Sequence, residues 1–79
     1  MSQASITLLG QAKSSYIKAQ ESKKNAIQYS YHIGAYDMAE SLLSRLGSMW
    51  GIEEAERINY ADAWKELKEF TNDFNKVKS

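Results

Sequence analysis

The chain has 79 residues and a mass of 9.0 kDa, is 43% apolar and 25% charged, and contains neither Cys nor Pro. That length supports one small domain, and the lack of Cys removes disulfide scaffolds, Cys-ligated zinc and thiol catalysis. Ten basic residues offset ten acidic ones, so no overall field draws the chain to nucleic acid or to an anionic surface. No uncharged apolar run approaches the roughly 20 residues of a membrane span. Met1-Ser2-Gln3-Ala4-Ser5 lacks the basic start of a signal peptide. The expectation is a soluble, cytoplasmic protein.

The first segment carries Ile6, Leu9, Tyr16, Ile17, Ile27 and Tyr31 on one stripe, which predicts a helix from about Ser5 to Ile33, with residues 1–5 frayed. Lys23 falls near the centre of that stripe. It must therefore point at a solvent gap, at an acidic partner or out of a local break. The lone histidine, His32, sits where the helix is expected to end, a place that favours a cation near the exposed carbonyls.

From Ala35 to about Leu46, a broad apolar face of Ala35, Ala39, Leu42, Leu43, Leu46 and Met49 predicts a helix packed against two neighbours, with Gly47 as its C-terminal stop. The run Gly34-Ala35-Tyr36-Asp37-Met38-Ala39-Glu40, followed by Leu43 and Leu46, resembles the turn and second helix of a tetratricopeptide-type hairpin. The preceding helix departs from that pattern at Lys23, Ala26 and Ile27, and the chain holds no second copy. The resemblance implies a helix break at Gly34 and an antiparallel hairpin, and no function.

The last segment is the most regular. Tyr60, Ala63, Trp64, Leu67, Phe70, Phe74 and Val77 recur at three- and four-residue steps, within a sector of about 140°. Asn59 is the expected N-cap, with Asp62 three residues on. Ile52, Ala55 and Ile58 form a smaller set at another angle. They predict a separate turn or two, or the same helix rotated. The fold class expected is all-α: a small three-helix bundle, made of a helical hairpin and a further amphipathic helix, with connections near residues 33–36 and 47–52. Below about 70–80 residues a single core rarely supplies more than about 3–5 kcal/mol, so a homodimer or a lasting partner is also expected.

Charge is unevenly spread. Residues 1–34 hold Lys13, Lys18, Lys23 and Lys24 against Glu21 alone. Residues 35–62 hold Asp37, Glu40, Glu53, Glu54, Glu56 and Asp62 against Arg45 and Arg57. A basic first helix lying across an acidic middle satisfies this within one chain. Contact between two copies satisfies it equally.

Little here carries chemistry. One His cannot build a triad or an ordinary zinc site. Glu53, Glu54 and Glu56 read as an acidic helix start, not a calcium loop. No Gly-rich phosphate loop exists, and no cofactor or metal is expected. The expectation is not an enzyme but a protein-binding adaptor, inhibitor or regulator. Stand-alone chains this short and this poor in chemistry are often regulatory, mobile-element or phage products. Aromatic residues make up 11% of the chain, and Tyr and Trp anchor protein interfaces by burying rigid area with a polar handle. Tyr29, Tyr31, Tyr36 and Trp50 are the candidate anchors, with Glu53, Glu54 and Glu56 steering a basic partner. The rival reading is a nucleic-acid-binding regulator using Lys13, Lys18, Lys23 and Lys24, with Tyr16, Tyr29 and Tyr31 for stacking.

Overall fold

A computed structural model describes residues 2–78, with side chains described as far as residue 76. Three helices follow one another: α1 (Gln3–Glu21), α2 (Ala26–Leu46) and α3 (Glu54–Lys78). They pack into a small all-α bundle of 42 × 24 × 18 Å. α1 and α2 form the closest pair. α2 runs antiparallel to both neighbours: the turn at residues 22–25 folds it back on α1, and along α3 Gly47 lies by Ala61 while Glu40, earlier in α2, meets Trp64 and Lys68 further on.

α1 begins at Gln3. Ser2 caps it: its hydroxyl accepts from the Ser5 amide at 3.3 Å, and the Ser5 hydroxyl donates back to the Ser2 carbonyl at 2.8 Å. Ser5 can therefore be fully buried without an orphaned polar atom. Met1 lies outside the described residues.

The break between the first two helices falls at residues 22–25, not at Gly34. The Ser22 amide closes α1 on Lys18 and Ala19, and the Asn25 side chain opens α2 by accepting from the Gln28 amide at 3.1 Å. Lys23 sits in this turn, exposed. The break answers the problem its charge poses, because an unpaired ammonium on a buried stripe costs several kcal/mol. Gly34 is instead an interior residue of α2. A helical glycine costs about 1 kcal/mol relative to alanine, and the packing of Ile33, Tyr36, Ala39 and Leu43 offsets it. The hairpin turn at Gly34 implied by the tetratricopeptide resemblance is therefore absent; the hairpin that forms, α1 with α2, turns at residues 22–25. The sequence reading of His32 is also corrected. It lies inside α2, half-buried, with its ring edge-on to Tyr31 at 5.2 Å.

Gly47 ends α2 as expected, but for a different reason. Its φ of −70° is right-handed, so no left-handed stop is involved. What requires glycine is space: a Cβ there meets the backbone of Ala61 at 3.0 Å, where α3 crosses the end of α2. The left-handed glycine is Gly51, at φ +91°, in the connection to α3.

α3 begins at Glu54, five residues before the expected cap Asn59, which lies inside it. Glu54 and Glu56 in the first turn suit the exposed amides of a helix N-terminus. Ala55 and Ile58 of the smaller apolar set belong to the same helix as the larger set, while Ile52 lies in the connection before it. Ala63 and Leu67 turn inward, while Ala55 and Ile58 face solvent. Val77, the last member of the predicted stripe, lies outside the described side chains.

The core is lean. Among the described residues its buried apolar members are Leu9, Ala12, Tyr16, Ala19, Tyr36, Ala39, Leu43, Ala63 and Leu67, and four of these nine are alanine. Alanine lets helices approach closely but takes little area out of water. Aromatic rings fill the centre. Tyr16 meets Tyr36 at 5.1 Å, Phe74 at 5.4 Å and Phe70 at 6.3 Å, in tilted and edge-on geometries.

Candidate functional site

Each predicted anchor can now be placed. Tyr36 is 8% exposed and belongs to the core. Its removal from the candidate surface follows from its helical phase, which it shares with Ala39 and Leu43. Burial also pushes its phenol above the ordinary 10.0. Tyr29 is half-buried on the first turn of α2, and Tyr31 is exposed on the same helix. Trp50 is 97% exposed in the α2–α3 connection. It does not plug the end of the bundle; it projects from it.

The surroundings of Trp50 make this end distinctive. Met49 and Ile58 are also exposed. Residues of the connection, together with Glu54 and Arg57, line an open depression of about 500 Å³. Glu53 and Glu54 are exposed, and Glu56 is half-buried. Arg57 reaches Glu54 at 3.7 Å, an exposed pair one turn apart that contributes little. The result is an apolar tip with an acidic margin, mounted on a helix start.

The nucleic-acid alternative gains no comparable patch. Lys13 lies over the Phe70 ring, 5.4 Å from its centroid. Lys18 is five residues on, about 140° around the helix, and Lys23 and Lys24 are in the turn. Tyr16, a proposed stacking residue, is buried, and its hydroxyl donates to Asn75 Oδ1 at 2.8 Å.

The expected pairing of a basic α1 with the acidic middle is replaced by another. Among the described residues no ion pair joins an α1 lysine to an acidic side chain. Glu40 of α2 turns to α3 instead. Its Oε1 takes Lys68 Nζ at 2.9 Å and accepts from Trp64 Nε1 at 3.1 Å, with Lys68 also 5.5 Å from the Trp64 ring centroid. Sequence reasoning missed this clamp, because Glu40 and Lys68 come into register only once the α2–α3 connection is fixed.

The Lys68 hydrogen bond holds the Glu40 carboxyl below its ordinary 4.5, with Trp64 assisting. The Glu40 bond in turn raises Lys68 above 10.5. The depressed carboxyl contributes stability that is present above pH 4.5 and lost as pH falls toward its folded value. The raised ammonium, like the raised Tyr36 phenol, contributes stability that is present below its ordinary value and lost as pH rises through its folded one. Both partners are partly exposed, so the pair contributes about 1 kcal/mol or less. Glu40→Gln is therefore expected to flatten the fall in urea midpoint below pH 4.5. An acid limb identical to that of the wild type assigns it to other carboxylates.

No group of three or more His, Asp or Glu side chains that could hold a metal gathers among the described residues. No helix among them is long and apolar enough to cross a membrane. Compared with known proteins, the chain matches no protein-family model, no curated protein and no solved structure.

Proposed function

We propose that this chain is a non-enzymatic protein-binding module of the cytoplasm, an adaptor, inhibitor or regulator that holds another protein at the α2–α3 end of its bundle and also pairs with itself. The observation that carries the reading is Trp50, 97% exposed at a projecting connection. Leaving an indole in water forgoes the burial that a side chain of that size ordinarily supplies. Trp is also the residue type most enriched among interface hot spots. Glu53 and Glu54 beside it favour a partner with a basic surface and speed its approach. The mechanism is steric: occupying a face of the partner, or holding it beside the bundle.

The test is capture from the native host on immobilised chain, followed by binding of the purified protein so identified. Trp50→Ala is expected to weaken that binding at least tenfold, about 1.4 kcal/mol or more, with helicity unchanged because the side chain touches little of its own chain. Glu53→Gln with Glu54→Gln is expected to slow association and reduce its salt dependence. Full affinity in Trp50→Ala places the contact elsewhere. Salt-steep binding to any nucleic acid, lost on replacing Lys23 and Lys24, favours the rival class.

A further inference from the structure

α2 buries one face and leaves another uncovered. Tyr36, Ala39 and Leu43 turn inward, while Ile27 is 83% exposed, Met38 75%, Tyr31 73%, and Leu42 is exposed as well. These four side chains fall within about 60° of the helix circumference, and Gly34 and Ala35 at its two edges widen the strip to about 100°. No charged residue interrupts that strip between Ile27 and Leu42. On its α1 side the strip borders a groove of about 370 Å³, lined by Leu8, Gln11, Ser15, Ala35, Met38 and Leu42 together with Ala39 at its floor.

The strip reads the same in both directions. Ile27 and Leu42 stand equally far from the midpoint between Gly34 and Ala35, and so do Tyr31 and Met38. Two large residues, two small ones and two large ones follow in order. Such a pattern is self-complementary under a two-fold axis, which makes each residue meet its counterpart's partner.

We infer that a second copy of this chain covers this face, α2 against α2, antiparallel about a two-fold axis at Gly34 and Ala35. Ile27 of one copy then meets Leu42 and Leu8 of the other, and Tyr31 meets Met38. The small residues let the two backbones approach at the centre. The inference rests on the reading of the chain as self-pairing, and it uses a different surface from the Trp50 end.

Two further observations favour this occupant. A helix of this length is about 31 Å long, and two adjacent helices present a face about 20 Å wide. That is the scale of the roughly 800 Å² per partner that stable dimers bury, and it adds to a lean core. The pairing also brings the Lys23–Lys24 turn of one copy to the same end as Glu53 and Glu54 of the other. This joins basic and acidic segments between which no ion pair forms within one chain among the described residues. The same axis sets Lys24 of one copy opposite Arg45 of the other, a like-charge pair at each exposed rim of the strip, where water and salt screen it.

Sedimentation of the wild type is expected at twice the 9.0 kDa of one chain, and of Met38→Asp at one chain mass with unchanged helicity. The chain has no cysteine of its own, so introduced pairs report the register. Ile27→Cys mixed with Leu42→Cys is expected to cross-link on oxidation. Neither is expected to cross-link to itself, because each lies about 22 Å along the axis from its own symmetry mate. A single chain mass at high micromolar concentration overturns the inference. A dimer indifferent to Met38→Asp, or one in which Ile27→Cys links to itself, overturns it too, while leaving self-pairing and the Trp50 contact standing.

Discussion

Tyr16→Ala is expected to unfold most of the protein. Tyr16 touches aromatic rings from both other helices, Tyr36 on α2 and Phe70 and Phe74 on α3. Removing a large buried ring costs about 3–5 kcal/mol. That equals the whole stability expected of a single small core. Tyr16→Phe separates packing from hydrogen bonding. It keeps the ring and loses only the 2.8 Å bond to Asn75 Oδ1, for about 1 kcal/mol. Urea unfolding followed by circular dichroism checks both. An alanine variant that unfolds at the wild-type midpoint shows that the three helices are held elsewhere.

Gly47→Ala is the second large effect, and its sign runs against helix propensity. In open helix, replacing glycine with alanine stabilises by about 0.5–1 kcal/mol. Gly10→Ala is expected to do so, since nothing lies within 4 Å of the added carbon. At Gly47 the same methyl comes within 3.0 Å of the Ala61 backbone, which cannot turn aside as a side chain can. The first part of α3 must move off the end of α2, at a cost of about 1–3 kcal/mol. The pair of variants, measured side by side, is expected to shift the midpoint in opposite directions. A stabilised Gly47→Ala removes the close crossing.

Much of the architecture was legible in the residues. The three- and four-residue steps from Tyr60 to Phe74 mark α3, and the apolar set around Ala39 and Leu43 marks the inner face of α2. Boundaries were less so, each for a local reason. Gly34 reads as a break because glycine is the usual helix punctuation, yet a helix tolerates it where both sides pack. The true turn had its own signal in Asn25, with Gln28 three residues on, and in a lysine at the centre of an apolar stripe. Ala55 and Ile58 look like a separate element because their phase differs from that of Ala63 and Leu67. They differ because the first turns of α3 extend past the core and face water. Of the candidate anchors, the exposure of Tyr31 and the burial of Tyr36 depend on their phase on one continuous α2, whereas Trp50 is exposed because it stands in the connection outside any helix. The uncovered strip on α2 was hidden for the same reason: with a break at Gly34, its two halves belong to different helices.

If a second copy covers what one copy leaves in water, folding and association are linked, and stability depends on chain concentration. Thermal unfolding across a hundredfold concentration range is the direct measurement. The midpoint is expected to rise steadily with concentration in the wild type and to stay level in Met38→Asp. A wild-type midpoint that does not move with concentration contradicts the account, because Ile27, Tyr31 and Met38 then remain in water as the chain folds.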